Sequence, residues 1–188
     1  MAEILFVLSV AFAHAMTNLD NIAVVLVLST TVGIRRCVSA FALTQVICIL
    51  LAAGIGAAAI DVLGAWVGYV GLLPIALGVY TLWRGGTVAD AVPTREANSM
   101  GALMIVFFSL GLDTIMIMSA IFADSAVGWR ALAYLGAAVS LSAMVALLLV
   151  MTYGDKATRI IERLNRFAPY ALIAVGLYIL SNTITDAV

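Results

Sequence analysis

Two aspartates lie in the middle of long apolar stretches, and they are the residues with which this chain could do chemistry. Asp20 belongs to the first stretch and Asp113 to the fourth. A carboxylate at the centre of a membrane helix costs about 2.5–3.5 kcal/mol even on lenient insertion scales. Two carboxylates at matching depths therefore predict a cation site. The small polar side chains beside them are Thr17, Asn18, Asn21 and Thr114.

Helical spacing extends this set of candidate ligands. Residues three or four apart share a helix face, which groups Asp20 with Thr17 and Asp113 with Ser109. Mid-span Asn and Asp side chains also compete for backbone hydrogen bonds, so local unwinding is expected there. An unwound turn would expose carbonyl oxygens to a cation. The predicted metal ligands are therefore Asp20, Asp113, Asn21, Thr17, Asn18, Thr114 and Ser109.

The ligand chemistry leaves the identity of the metal open. Carboxylate, amide, hydroxyl and carbonyl oxygens suit Mn²⁺, Ca²⁺ or Mg²⁺. The soft ligands that Cd²⁺ prefers would come from Met16, Met116, Met118 and Cys48. Methionine in a helix is more often a core residue. Each aspartate could likewise be a neutral or hydrogen-bonded packing residue, although no Lys or Arg lies in the middle of a predicted span to pair with it; Arg130 is at the outer end of the fifth.

Other polar residues near these stretches allow two interpretations each. His14 could be a packing residue or a proton relay. Gln45 and Ser140 could face the site, or they could form a hydrogen bond between helices. Asp61 and Asp124 lie at the predicted outer ends of spans, where a hydrated carboxylate is expected.

The composition identifies the solvent of this chain as lipid. Of its 188 residues, 65% are hydrophobic and 10% are charged, and the mean hydropathy is +1.19. A soluble domain carries roughly 25% charged residues. The net charge of −1 gives no reason to expect a nucleic-acid partner. We therefore expect a multi-pass protein of a cell membrane, typically a bacterial inner membrane, with lipid as its surroundings.

Six apolar segments are each about as long as the ~20 residues that a span requires. Strands of alternating polarity are missing, so the predicted fold is an all-α membrane protein with six transmembrane helices. A polar linker at 87–100 divides the chain into residues 1–86 and 101–188, and residues 153–166 predict a basic interfacial segment. The segments are 4–32, 38–60, 64–83, 101–123, 127–152 and 167–185.

Basic residues predict the orientation in the membrane. Eight of the nine basic residues fall in the connections after segments one, three and five, and only Arg130 lies on the opposite side. By the positive-inside rule these connections are cytoplasmic and both termini lie outside. The eight are Arg35, Arg36, Arg84, Arg95, Lys156, Arg159, Arg163 and Arg166.

The two halves also repeat one another. Asn18–Ile22 aligns with Gly111–Ile115, and Gly78–Leu82 aligns with Gly176–Leu180. Because each half has three spans, an odd number, the second half must be inverted relative to the first. Inverted repeats are typical of secondary transporters, which bind substrate near the midplane where the repeats meet. Both aspartates are predicted to lie there.

The chain resembles the cadmium-resistance transporters of the lysine-exporter superfamily, which also includes manganese exporters and tellurium-resistance membrane proteins. Four stretches carry the resemblance: Ala15–Asn21, Gly71–Tyr80, Gly111–Thr114 and Ala174–Tyr178. The resemblance implies a six-span exporter of a divalent cation of the Cd²⁺ or Mn²⁺ class, bound by Asp20 and Asp113. The relatives usually have Asp-Asn in the fourth helix, whereas this chain has Asp-Thr.

Other functions fit the sequence less well. An exporter of amino acids or other small organic solutes is the main alternative, but such a substrate would require a cationic group in the spans. A thiol–disulfide carrier would need Cys37 and Cys48 to meet, yet eleven helical residues separate their Cα atoms by about 16 Å. An intramembrane enzyme is not expected, because the single histidine has no partner motif.

We therefore predict a proton-coupled exporter of a divalent cation. No resident cofactor is expected, and the absence of a nucleotide-binding motif favours exchange with protons over ATP hydrolysis. A purely structural membrane scaffold would not explain the paired aspartates. The sequence does not decide between a monomer and a homo-oligomer.

Overall fold

The computed structural model describes residues 1–84, 99–151 and 167–181, and this part of the chain contains helices and no β-strand. Helices suit apolar residues in lipid because they satisfy every backbone hydrogen bond within one segment. The predicted interfacial segment and nearly all of the predicted linker lie outside the described residues. The helices are α1 Ala2–Met16, α2 Leu19–Val32, α3 Ile34–Leu63, a 3-10 helix Gly64–Gly71, α4 Leu72–Arg84, α5 Met100–Leu110, α6 Leu112–Asp124, α7 Val127–Met151 and α8 Ala168–Leu180.

Three to five candidate membrane spans are present in the described residues. The uninterrupted ones are Ile34–Leu63, Trp66–Trp83 and Val127–Val150. The pairs α1 with α2 and α5 with α6 each make one more span if each bent pair crosses the membrane once. The sixth predicted span corresponds to the shorter apolar helix Pro169–Leu180, and its predicted end beyond residue 181 lies outside the described residues. The prediction of an all-helical fold is thus confirmed for the described residues, and their long apolar helices are compatible with a multi-pass membrane protein.

The structure differs from two of the predicted segments. The second segment begins at Ile34 and not at residue 38, because Gly33, with a φ of 94°, ends α2 and starts α3 without a longer loop. A positive φ of this kind is tolerated by glycine, which has no Cβ. Arg35 and Arg36 consequently lie exposed on the first turn of α3. The third segment has the bounds that were predicted, but it begins as a 3-10 helix before α4.

Three pairs of helices form the main contacts: α3 with α6, α1 with α7, and α4 with α8. Each pair approaches closely at a glycine, as small residues allow in membrane helices. A Cβ on Gly56 of α3 would lie 2.8 Å from the Cβ of Phe122 in α6, and one on Gly136 of α7 would lie 2.7 Å from the Val7 carbonyl oxygen in α1. These two pairs hold α1 and α6, which reach the candidate site.

The buried side chains form two clusters. One includes Phe6, Ile117 and Phe122, on α1 and α6. The other includes Phe41 and Phe107, whose rings meet edge to face with centroids 6.0 Å apart. Many large apolar side chains point outward instead, such as Ile105 at 71% exposure. An apolar exterior of this kind suits contact with lipid tails.

Candidate cation site

The first predicted span is interrupted at Thr17 and Asn18. The Asn18 backbone N–H donates to the Ala15 carbonyl at 3.1 Å. It therefore does not donate to the His14 carbonyl, which would be its acceptor in a regular α-helix. Side chains take that carbonyl instead: Thr17 Oγ1 donates to it at 3.0 Å and Asn18 Nδ2 at 2.8 Å. This side-chain competition for the backbone is the unwinding that the sequence predicts. The axes of α1 and α2 differ in direction by 50°.

The fourth predicted span is interrupted in the same way at Gly111. Its backbone N–H donates to the Phe108 carbonyl at 3.1 Å, again three residues back. The backbone angles agree closely, with φ −89° and ψ 5° at Gly111 and φ −107° and ψ 6° at Asn18. These two residues are aligned in the predicted internal repeat. The bend between α5 and α6 is 57°.

Side-chain hydrogen bonds join the two interruptions. Asn18 Nδ2 donates to Thr114 Oγ1 at 3.2 Å, and Thr114 Oγ1 donates to Thr17 Oγ1 at 3.1 Å. Asn21 Nδ2 donates to Asn18 Oδ1 at 3.0 Å. All four side chains are buried. The structure therefore brings four of the seven predicted ligands into one cluster.

The two aspartates occupy matching places beside this cluster. Each is the second residue of the helix that follows an interruption, Asp20 in α2 and Asp113 in α6. Both are partly buried, and the two carboxylates are within electrostatic range of one another. Asp113 Oδ1 also accepts a hydrogen bond from the Thr114 backbone N–H at 2.7 Å. A carboxylate at a helix N-terminus stabilises that helix by about 0.3–1 kcal/mol, which is an alternative role for both residues.

Ser109 is the predicted ligand that the structure keeps apart from the others. Its side chain is exposed, and Oγ donates to the Val106 carbonyl of its own helix at 2.7 Å. The helical spacing that grouped it with Asp113 assumed one continuous helix, and the interruption at Gly111 removes that relation. Among the sulfur residues, Met116 is 38% exposed and Met118 is buried in the core.

Helix α3 forms a further side of the site. Cys48 Sγ lies 3.1 Å from the position that a Cβ on Gly111 would take, and the thiol is within electrostatic range of Asp113. One turn earlier, Thr44 and Gln45 are fully or almost fully buried. Thr44 is not among the residues that the sequence predicts for the site, although Thr44 and Gln45 are two consecutive polar residues inside an apolar span.

Two of the three remaining polar residues, His14 and Asp124, are buried, and the third, Asp61, is exposed. His14 is fully buried, and its Nδ1 lies 3.1 Å from Ser140 Oγ on α7. Asp61 is exposed at the end of α3, as expected. Asp124 is only 4% exposed, which corrects the prediction of a hydrated carboxylate at the end of α6.

The ligand set is rich in oxygen and poor in the usual metal-binding side chains. Within the described residues, no group of three or more His, Cys, Asp or Glu side chains could hold a metal ion. A cation at this position would thus be held by two carboxylates together with amide, hydroxyl and carbonyl oxygens. Such hard ligands suit ions like Mn²⁺, Mg²⁺ or Ca²⁺.

Comparison with known proteins adds no assignment. The chain matches no protein-family model, no curated protein and no solved structure. The resemblance to cadmium-resistance transporters therefore stays a prediction.

Proposed function

We propose that this protein is a membrane transporter that exports a divalent metal cation of the Cd²⁺ or Mn²⁺ class, in exchange for protons. In this proposal Asp20 and Asp113 are the charged ligands of one cation. The neutral ligands come from Thr17, Asn18, Asn21 and Thr114. The cation is the transported substrate and not a resident cofactor.

One observation carries the proposal: two helices are interrupted at equivalent positions, and an aspartate follows each interruption. The hydrogen bond from Asn18 to Thr114 holds the two interruptions against each other. Interrupted membrane helices are typical of transporter substrate sites, where unwound carbonyls and half-helix ends coordinate ions. A helix cap alone would explain one aspartate, but it would not explain why two capped interruptions meet in the middle of the protein.

The charge of the proposed ligands favours a metal cation over the amino acids or other small organic solutes that the alternative transporter would export. Two carboxylates balance a divalent charge, whereas an amino acid also needs a cationic partner for its own carboxylate. The sequence between residues 37 and 83 and between residues 99 and 129 contains no Lys or Arg. Proton exchange follows from the same chemistry, because a carboxylate that releases a cation in a low-dielectric site is cheaper when protonated.

The proposed architecture is six spans in two inverted three-helix repeats. The contacts of α8 with α4 and with the 3-10 helix before it support this architecture. These contacts occur in pairs, and replacing each residue by its aligned counterpart in the other half converts one contact of a pair into the other. A Cβ on Gly71 would lie 2.7 Å from the Gly176 carbonyl oxygen, and one on Gly78 would lie 2.7 Å from the Pro169 carbonyl oxygen. The alignment pairs Gly78 with Gly176 and therefore Gly71 with Pro169, so each contact is the image of the other.

A second exchanged pair agrees with the first. A Cβ on Gly176 would lie 2.5 Å from Ile75 Cγ1, and a Cβ on Gly78 would lie 2.8 Å from Ile173 Cγ1. As the residue numbers of these contacts rise along α4, those of their partners fall along α8, so the two helices are antiparallel. An axis in the membrane plane relates repeats in this manner and would place both termini on the same side of the membrane. The basic residues predict that this side is the outside.

The test replaces each proposed charged ligand by its neutral isostere. Asp20→Asn and Asp113→Asn should each abolish transport of Mn²⁺ and Cd²⁺ in membrane vesicles and lower cation affinity by more than about 100-fold, since even outer-shell groups contribute about 10–100-fold. Both variants should insert and fold, because a neutral residue is cheaper in lipid than a charged one. The double variant should be no worse than either single one, as expected for groups that act as a unit.

Asp61→Asn is the matched control, because Asp61 is exposed at the end of α3. It loses the same charge and should transport normally. Normal efflux by either site variant, or an equal loss in the control, contradicts the proposal. If the aspartates serve only as helix caps, the site variants will lose a little stability and keep their transport activity.

A further inference from the structure

The imidazole of His14 is held by two other helices next to the candidate cation site. His14 lies in the last turn of α1 and is 0% exposed. Its Nδ1 lies 3.1 Å from Ser140 Oγ on α7, and the side chain of Gln45 on α3 is a second hydrogen-bonding partner of the ring. Both partners are buried as well. One side chain thus connects three helices in the interior of the protein.

The two partners of the ring come from equivalent places in the two halves of the chain. The predicted repeat aligns Gln45 of α3 with Ser140 of α7. In the proposed architecture a twofold axis relates the halves, so the midpoint between two aligned residues lies on that axis. A ring that contacts both residues therefore lies close to the axis. Transporters built from inverted repeats bind their substrates in this region.

Packing alone does not require a histidine at this position. The same alignment pairs His14 with Phe107, whose ring packs edge to face on Phe41 with centroids 6.0 Å apart. An apolar ring thus occupies the equivalent place in the second half. Burying an imidazole costs more than burying a phenyl ring unless hydrogen bonds compensate for the lost water. We therefore expect the polar contacts of His14 to have a function of their own.

The backbone of the same residue holds two of the proposed neutral ligands. The His14 carbonyl accepts a hydrogen bond from Thr17 Oγ1 at 3.0 Å and another from Asn18 Nδ2 at 2.8 Å. Carbonyls in the last turn of a helix have no partner within that helix, so this one can accept from side chains. Because the ring and the carbonyl belong to one residue, the contacts that fix the ring also fix the acceptor of both ligand side chains.

We propose that His14 is a positioning residue of the cation site. Its ring holds the end of α1 against α3 and α7, and its carbonyl orients Thr17 and Asn18 toward the cation. This inference rests on the proposed transport function and deepens it. Within the described residues, no group of three or more His, Cys, Asp or Glu side chains could hold a metal ion. The imidazole therefore supports the ligands and does not join the two aspartates in binding the cation.

The role predicts a change in apparent cation affinity more than in maximal rate. Uptake of Mn²⁺ into inside-out vesicles that contain the full-length protein measures KM and Vmax, and the amount of folded protein is measured in the same vesicles. His14→Leu replaces the ring by an apolar side chain and should raise the KM for Mn²⁺ by about 10–100-fold, the range found for groups that orient metal ligands. Vmax per folded protein should change much less than KM.

A conservative variant separates positioning from a merely structural role. His14→Asn keeps a polar group close to the place of Nδ1, so it should recover most of the affinity that His14→Leu loses. If His14 only packs in the core, His14→Leu will change the amount of folded protein and leave KM unchanged. That result, or a KM in His14→Asn as high as in His14→Leu, would overturn the positioning role.

The hydrogen bond to Ser140 can be tested with a control on the same helix. Ser140→Ala should also raise the KM for Mn²⁺, but in a His14→Leu background it should have no further effect, because the two groups act together. Ser142→Ala is the matched control, since Ser142 is exposed and its Oγ donates to the Ala138 carbonyl of its own helix. It should leave KM unchanged. Equal effects of the two serine variants, or full additivity of Ser140→Ala with His14→Leu, contradict the proposed connection.

The outcomes also distinguish this inference from the proposed function. An unchanged KM in His14→Leu, together with transport that is lost in Asp113→Asn, overturns the positioning role and leaves the paired aspartates intact. Failure of the natural protein to transport Mn²⁺ at all contradicts both proposals for this ion.

Discussion

The close approach of α3 to α6 can be tested by the same substitution at two glycines of one helix. Gly56 of α3 is buried against α6, and an added Cβ would lie 2.8 Å from both the Phe122 Cβ and the Ser119 carbonyl oxygen. Gly54, two residues earlier, is exposed, and among the described residues nothing lies within 4 Å of its added Cβ. Overpacking of a well-packed interface costs about 1–3 kcal/mol. The gain in helix propensity from Gly to Ala, about 0.5–1 kcal/mol, is common to both variants.

The difference in unfolding free energy between Gly54→Ala and Gly56→Ala should therefore equal the steric cost alone, about 1–3 kcal/mol in favour of Gly54→Ala. Equilibrium unfolding of the purified proteins in mixed micelles measures this difference. Because α6 carries Asp113, Gly56→Ala should also lower cation affinity, while Gly54→Ala should not. Equal stability of the two variants would refute the described packing of α3 on α6.

Two further predictions concern the joined interruptions and the orientation in the membrane. Thr114→Val keeps the side-chain shape but removes two buried hydrogen bonds, so it should cost about 1–3 kcal/mol of unfolding free energy, whereas Thr30→Val, at an exposed position that bonds only to its own helix, should cost less than about 0.5 kcal/mol. For the orientation, a cysteine placed at the exposed Val62 should react with a membrane-impermeant reagent outside intact cells, and one placed at Ser99 should not. Cys37 and Cys48 are buried and give a low background. Labelling of both introduced cysteines from outside contradicts the proposed topology.

The residue types near the aspartates made the interruptions predictable. The Asn18 side chain donates to a backbone carbonyl that would otherwise accept a helical hydrogen bond. The predicted repeat aligns Asn18 with Gly111, and the helix is interrupted there as well. What the sequence could not supply was the direction of each half-helix after its break. Ser109 was grouped with Asp113 by a periodicity that holds only within one helix, and the 57° bend separates them. Helical spacing thus predicts which side chains share a face only within one uninterrupted helix, and not across an interruption.

The partners of the polar residues on the other helices were equally beyond the reach of the sequence. Gln45 and Ser140 align in the repeat, and either could have faced the site or bonded to a neighbouring helix. In the structure both side chains reach His14: Ser140 Oγ lies 3.1 Å from Nδ1, and Gln45 lies beside the ring. These contacts depend on how closely α7 and α3 approach α1, and for α7 that approach occurs at Gly136. Local patterns do not encode that distance.

The position of the hydrogen bonds between the two interruptions has a consequence for the proposed transport cycle. Thr17 and Asn18 belong to the first half of the chain and Thr114 to the second, so movement of one repeat against the other must break both bonds between them. Each such bond contributes about 0.5–1.5 kcal/mol. A cation can shift the equilibrium between two conformations only by the difference in its affinity for them. In the proposed cycle, carboxylates contributed by both repeats would provide that difference, because they could contact one ion together only when the interruptions are aligned.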